Sequence, residues 1–171
     1  MPSPPSIVLV AAVAENNVIG FSGKQPWHIH SDLRHFRALT LDKPVIMGRK
    51  TFQSIGAPLD RRTNIIISRD KKFAPKGVTV APTFKAALEL ARKDAEHRGT
   101  DEIMVIGGSA VFAEAMPLAD RLEITHVHAS PEGDAHFPPI DLKHWREDKR
   151  EARNAGPKDD AGFAIATYVR R

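Results

Sequence analysis

Glu102-Ile103-Met104-Val105-Ile106-Gly107-Gly108-Ser109 passes from an apolar stretch through a glycine pair into a helical pattern, residues 109–116. There Val111, Phe112 and Ala115 share one side and Pro117 closes the pattern. An apolar run of strand length without polar alternation is covered on both faces, as in a parallel sheet. Further runs rich in Val and Ile lie at 7–13, 44–47, 64–68, 78–80 and 122–127. Helical patterns separate them. Residues 31–41 place Leu33, Phe36 and Leu39 or Thr40 on one side, with Ser31 or Asp32 suited to the start, and 83–92 carries Phe84, Ala87, Leu88 and Ala91. Strands alternating with helices predict an α/β fold: a doubly wound, mostly parallel sheet with helices on both faces and a ligand at the carboxyl ends of the strands. The tail reads as two strands, 145–151 and 163–169, joined by a polar link, so an antiparallel hairpin finishes the sheet.

The 171 residues fit one domain over 1–171, and 42% hydrophobic with 27% charged residues excludes disorder, collagen and coiled coil. With no cysteine there is neither a disulfide framework nor a thiolate nucleophile. A net charge of +4 draws anionic ligands. The densest basic stretch, 143–153, alternates with Glu147, Asp148 and Glu151, which reads as a solvated face rather than a nucleic-acid stripe. The apolar run 7–14 imitates a secretory signal core, but no Lys or Arg precedes it and it falls far below the ~20 residues that span a bilayer. It reads as a buried first strand.

The ends of the strands carry the chemistry. Met47 is followed by Gly48-Arg49-Lys50-Thr51, Ser68 by Arg69, and Ile106 by Gly107-Gly108-Ser109. Glycines let a phosphate approach the backbone, and helix N-termini offer it free N–H groups, so several such ends together suggest a dinucleotide. Each alone reads equally as a turn or an exposed arginine, and no G-x-G-x-x-G follows the first strand. Asp32 shares a helical face with Phe36. It is either a helix-start carboxylate favoured by the macrodipole or one that grips a cationic or amidine-like group in a cleft. The long connection 15–30, with Gly20, Gly23 and Pro26, reads as a lid or binding loop. His28 with His30, and His126 with His128, could each present two imidazoles on one strand face, but no carboxylate motif completes a metal site.

Order and spacing over nearly the whole chain resemble the dihydrofolate reductases of the bacterial chromosomal type. The resemblance rests on Ala11-Ala12, Val18-Ile19-Gly20, Pro26-Trp27, Asp32-Leu33 with Phe36, Lys43-Pro44-Val45-Ile46-Met47-Gly48-Arg49 and Thr51. It continues through Ser54-Ile55-Gly56, Pro58-Leu59, Arg62, Asn64-Ile65-Ile66, Ile103 to Gly108, Leu122, Thr125-His126, Glu132-Gly133-Asp134 and His136-Phe137-Pro138. It implies an oxidoreductase that reduces 7,8-dihydrofolate to tetrahydrofolate with NADPH for one-carbon metabolism. The same resemblance implies a cytoplasmic monomer, a target of diaminopyrimidine or diaminopteridine antifolates, with no nucleic-acid or membrane partner and no metal.

By resemblance, Asp32 with Thr125 behind it holds the pterin and promotes protonation of N5 through water near Trp27. Val10, Ala11, Leu33, Phe36, Ile55, Leu59, Ile106 and Phe112 wall the pterin and aminobenzoyl groups, and Arg62 pairs with the glutamate carboxylate. On the cofactor side, the resemblance assigns Ala12, Ile19 and Gly20 to the nicotinamide end. It assigns Gly48, Lys50, Thr51, Gly107, Gly108, Ser109, Ala110 and Val111 to the pyrophosphate region, and Arg49, Ser68 and Arg69 to the adenosine 2'-phosphate. It also implies a cis bond between Gly107 and Gly108, and a lid around Gln25 that Asp134 latches near Gly20.

Three positions depart from the family pattern. Gln25 stands where many members have Met or Leu, Ala57 where some have a basic residue, and Phe112 where Tyr is frequent. Two rivals remain: a reductase of the same fold acting on another pterin or a ribosylaminopyrimidine, and a basic nucleic-acid-binding module. Asp32 with Trp27, Phe36 and Arg62 argues against the first, and no nucleic-acid motif supports the second.

Overall fold

The structure, a computed structural model, describes residues 4–171. The first strand, β1 (Ser6–Ala14), is apolar throughout because both its faces are covered. Ile7, Leu9 and Val13 join the core under the helices α3 (Phe84–Arg98) and α4 (Ser109–Ala115). Val8 and Val10 join the core under α1 (His30–Thr40) and α2 (Arg49–Ile55). Side chains two residues apart share a face, so one strand feeds both layers.

Around β1 lie β3 (Pro44–Gly48), β4 (Thr63–Ile67), β5 (Thr79–Ala81), β6 (Glu102–Val105) and β7 (Arg121–Val127), all parallel. β9 (Trp145–Arg153) and β10 (Phe163–Arg170) add the antiparallel hairpin, giving the order β5-β4-β3-β6-β1-β7-β10-β9. The two-strand ribbon of β2 (Val18–Gly20) and β8 (Ala135–His136) stands apart. Only Trp145 of β9 is buried, under the Arg170 guanidinium 4.0 Å above its ring. The remaining residues of β9 are exposed and mostly charged, which blunts an edge strand against pairing with other chains.

The structure departs from the sequence reading at four places. Helix α3 runs past Arg92 to Arg98 and buries Ala95, one turn after Ala91, while Thr83 caps its start by accepting from Ala86 N at 3.0 Å. No helical pattern marked α2, at residues 49–55, whereas α4 ends at Ala115 ahead of Pro117 as read, with a 3-10 turn, Met116–Leu118, following it. The connection 15–30 is not structureless, since it contains β2. Neither Ser31 nor Asp32 caps α1: both lie inside its first turn, and Ile29 precedes it with no side-chain cap.

Gly133 sits against the ribbon. A Cβ there would lie 2.8 Å from Val18 Cγ2 and 2.9 Å from Gly20 O, with Val18 Cγ1 nearer still. Backbone cannot retreat as a flexible side chain can. Gly133→Ala is expected to lower stability by about 1–3 kcal/mol through overpacking, read from urea unfolding. The control Gly20→Ala, whose Cβ has no neighbour closer than 3.4 Å, should cost less.

Candidate active site

Two strands that separate create the cleft. β1 stays in register with β6 only from Ser6↔Glu102 to Leu9↔Val105, but with β7 as far as Ala14↔Val127. Past Val105 the chain follows β3 instead, through Ile106 N to Ile46 O at 3.0 Å and Gly48 N to Gly107 O at 2.8 Å. Between the diverging halves lies a cleft of about 1140 Å³. That lies just above the roughly 300–1,000 Å³ usual for one small ligand.

β1 contributes Val10, Ala11 and Ala12 to this cleft, and α1 contributes Asp32, Leu33 and Phe36. Thr51, Ile55, Leu59 and Arg62 line it around α2, and Gly48, Arg49 and Lys50 line it at the end of β3. Ile106, Gly108, Ser109, Ala110, Val111 and Phe112 follow from the β6–α4 junction, and Thr125 from β7. Ile19, Gly20, Gln25 and Asp134 line it from the ribbon side. Leu33 and Ile55, 50% and 41% exposed, present apolar surface to the cleft.

Four expected residues do not line the cleft. Trp27 packs behind it with Ala12, Val18, Ile29 and Phe163, and its Nε1 is buried without a hydrogen-bond partner among the described residues. Gly107 lies at the back, in a cis peptide bond to Gly108, with a would-be Cβ only 3.1 Å from Phe112 Cε2. Ser68 and Arg69 line a separate hollow of about 410 Å³ with Thr83, Lys85 and Glu114. Conversely, Lys24, His35, Arg37, Glu123 and Ala135 line the cleft without having been singled out, and Ser54, named only within the family pattern, joins them. For His35 the signal was its place one helical turn from Asp32, whereas Glu123 had none, being a lone acid in a strand.

The electrostatics centre on Asp32, whose Oδ1 accepts from Thr125 Oγ1 at 2.6 Å. Burial pushes its carboxyl above the usual aspartate range; the Thr125 hydroxyl and His35 act the other way, and Asp159 adds to the rise. Arg62 has a side chain only 4% exposed. It donates from Nη1 to Thr40 Oγ1 at 2.9 Å, from Nε to Asp60 O at 2.9 Å and from Nη2 to Asp60 Oδ1 at 3.2 Å. Further guanidinium N–H groups remain for a carboxylate. Arg37 holds Asp60 from the other side, at 2.7 and 2.9 Å. Arg49 pairs with Asp70 at 3.0 Å and lies 4.3 Å over the Phe73 ring. Asp134 Oδ2 accepts from Ser22 N at 3.1 Å while its own N donates to Gly20 O at 3.0 Å.

The glycines suit a bound dinucleotide. Gly107, at φ 119°, adopts a backbone conformation that side chains disfavour and a Cβ there would press on Phe112, while Gly108 presents bare backbone beside Thr51. No group of three or more His, Asp or Glu among the described residues could hold a metal ion, and no described helix is long and apolar enough to cross a membrane.

A split, mostly parallel sheet with a large cleft at the strands' carboxyl ends and a desolvated carboxylate defines an α/β enzyme of the nucleotide-using kind. The dihydrofolate reductase family model matches residues 6–170. Dihydrofolate reductase type 3 of Salmonella typhimurium is 46% identical over 165 residues, covering 96% of this chain and 98% of its own. A dihydrofolate reductase of Neisseria meningitidis serogroup A is 44% identical with the same coverage. The solved structure of the Enterococcus faecalis enzyme, complexed with NADP(H) and RAB-propyl, superposes with a TM-score of 0.87 at 33% identity, over 97% of this chain and 96% of that one. The chain belongs to the dihydrofolate reductase family.

Desolvation of Asp32 has a consequence for stability. Because its folded-state pKa is raised, folding is weakened as pH rises through the window above the ordinary value of 3.8 and stays weakened at neutral pH. Asp32→Asn, which can still accept from Thr125, should therefore make the ligand-free protein more stable at pH 7. The gain should fade as pH falls below the ordinary aspartate value. Urea unfolding of both proteins across that range measures it.

Proposed function

We propose that Asp32 is the carboxylate that binds and polarises the pterin in the reaction of this family. That reaction is the NADPH-dependent reduction of 7,8-dihydrofolate to 5,6,7,8-tetrahydrofolate. The observation that carries the reading is the half-buried Asp32, bonded to Thr125, in the floor of a cleft otherwise walled by Val10, Leu33, Phe36 and Ile55.

NADPH supplies a hydride, and the C6=N5 bond takes it at C6 together with a proton at N5. The protein's part is to orient the ring and favour that protonation. An anion beside the pterin stabilises the protonated ring as it forms, and scarcity of water nearby strengthens the effect. The buried Nε1 of Trp27, without a hydrogen-bond partner among the described residues, supports its role in holding the water that delivers the proton. Phe112 supports an aromatic wall, and the free N–H groups of Arg62 support pairing with the glutamate carboxylate.

Gly48, Lys50, Thr51 and Gly107 to Val111 would take the cofactor's pyrophosphate, with Ala12, Ile19 and Gly20 at the nicotinamide end. Arg49, Ser68 and Arg69 would take the 2'-phosphate; Arg49 lines the main cleft, while Ser68 and Arg69 line the second hollow. Gln25 and the Asp134 latch belong to the lid. In this reading residues 1–171 act as one domain, a monomer in the cytoplasm, where reduced NADPH and folates are met. Diaminopyrimidine and diaminopteridine antifolates bind it competitively with dihydrofolate.

Asp32→Asn should cut turnover at neutral pH by about 10²-fold or more, leave NADPH binding intact and regain part of the activity at lower pH, where solvent protonates N5. Diaminopyrimidines, which are protonated beside a carboxylate, should lose more affinity than dihydrofolate does. NADPH oxidation assays and inhibition constants check this, and unchanged turnover removes Asp32 from the mechanism.

Arg49→Ala with Arg69→Ala should weaken NADPH far more than NADH, by an order of magnitude or more, since each charge-assisted hydrogen bond contributes roughly 1.5–3 kcal/mol. Fluorescence titration with both cofactors measures it. Equal losses would mean that the arginines hold something other than the 2'-phosphate.

A further inference from the structure

Helix α1 carries Asp32, yet nothing local secures its start. Ile29 precedes it with no capping side chain, and an unsatisfied helix N-terminus leaves N–H donors without partners. The missing acceptor comes from the far end of the chain. Asp159, in the connection between β9 and β10, accepts from Ser31 N at 3.1 Å through Oδ1 and from Ser31 Oγ at 2.9 Å through Oδ2. The same Oδ2 accepts from Gly156 N at 2.9 Å, and a backbone bridge joins Asp159 to Ile29. Next to it, Asp160 Oδ2 accepts from His28 N at 2.7 Å, and Asp160 N donates to His28 O at 2.8 Å.

Gly156 marks this contact as built. A Cβ at that position would stand 3.2 Å from Asp159 Oδ2, crowding it, and 3.5 Å from Ser31 Oγ. The β9–β10 connection is therefore shaped to bring a carboxylate against the first turn of α1, one residue before Asp32.

Resting on the reading of Asp32 given above, we propose that Asp159 is a positioning residue for the reaction: it caps the helix that carries Asp32 and adds a negative charge near it. A carboxylate at a helix N-terminus is favoured by the macrodipole and by two charge-assisted hydrogen bonds. That cap fixes the height and rotation of the first turn, and with them the direction of the Asp32 side chain. Its negative charge also disfavours ionisation of Asp32, holding the proton in the site to higher pH.

The other groups around Asp32 delimit the effect. On its own helix His35 acts in the opposite sense, and from β7 the Thr125 hydroxyl stabilises the charged form. Val10, Ala11 and Ala12 of β1 and Ile55 of α2 bring no charge, while Glu123 of β7 and Lys24 of the segment before α1 also line the cleft. Glu123 is engaged by Arg121 Nε at 2.8 Å. Asp159 is thus the anionic contributor among the groups that shift Asp32, and the one that can be removed without touching the cleft wall.

Three variants separate position from charge: Asp159→Asn keeps an acceptor and deletes the charge, Ser31→Ala deletes one bond and keeps the charge, and Asp159→Ala deletes both. The Asp32 carboxyl is titrated directly by carbon-13 NMR in the ligand-free protein, and hydride transfer is followed across pH. Asp159→Asn should move the Asp32 titration and the midpoint of the rate profile to lower pH, and lower the hydride-transfer rate at neutral pH severalfold with NADPH affinity unchanged. Ser31→Ala should leave both midpoints in place. Asp159→Ala should show the acid shift together with a further loss of rate, and Asp159→Glu should restore the midpoint. An Asp32 titration identical in wild type and Asp159→Asn overturns the proposal, as does an equal shift in Ser31→Ala. Because the titration does not depend on turnover, a failure of Asp32 as the reacting carboxylate would show separately, as an Asp32→Asn protein that still turns over.

Discussion

The parting of β1 from β6 beyond Leu9 and Val105 is the constraint on which the rest depends. Each strand is held by its other neighbour: β6 continues along β3 through the Ile106 and Gly107 backbone, and β1 continues along β7 to Ala14. The sheet is continuous below this level and divided above it, so the cleft crosses the sheet itself rather than lying on its surface. The glycine pair stands where the division begins, which is where a ligand needs to reach furthest between strands. Phe112, 4.9 Å from Phe137 and buried, fills the space beneath and gives the pair a rigid backing.

A cleft cut into a sheet needs its movable wall secured, and α1 is anchored at both ends by charge. At the carboxyl end Lys43 Nζ donates to Leu39 O at 2.9 Å and to Glu102 Oε1 at 2.6 Å. Arg121 bridges Glu102 and Glu123, and Glu123 in turn accepts from Thr167 Oγ1 at 2.9 Å. Burial works against the Glu102 carboxylate, but Lys43 and Arg121 hold it below the usual range. Half-buried ion networks of this sort add little net stability after desolvation, and their use here is to fix where the helix lies relative to β6, β7 and β10. At the amino end Asp159 and Ser31 do the corresponding work. Asp32 therefore projects from a helix that can neither slide nor rotate freely.

The central parallel strands β1, β3, β4 and β6 were legible because burial on both faces makes them continuously apolar, and a strand of that kind needs no knowledge of its partners to be recognised. Helix α2 was not, since its seven residues bury only Phe52 and no periodicity can build up in one and a half turns. The ribbon of β2 and β8 is two to three residues a side, and its pairing of Val18 with His136 is long-range. The end of α3 was hidden because Lys93, Asp94 and Glu96 are polar while small Ala95 alone marks the buried face. In the site, apolar wall and glycine positions were readable through the family pattern. Asp159 was not, because its partner Ser31 is 128 residues away and an aspartate in a turn-rich link carries no sign of what it touches.

The segment from Glu15 to His30 shows how such distant contacts allow local change. It is tied at one end by Asp134, through Ser22 N and Gly20 O, and at the other by Asp160, through His28 N and His28 O. All four bonds use the main chain of the segment, so its path does not depend on the side chains it carries between the ties. Gln25 lies between them and lines the cleft. Replacing an apolar side chain by Gln at that point alters what the wall offers a ligand, and leaves untouched the bonds that hold the segment over the site. Variation is cheap where the backbone is held from outside, and costly at Gly133, where the backbone itself makes the contact.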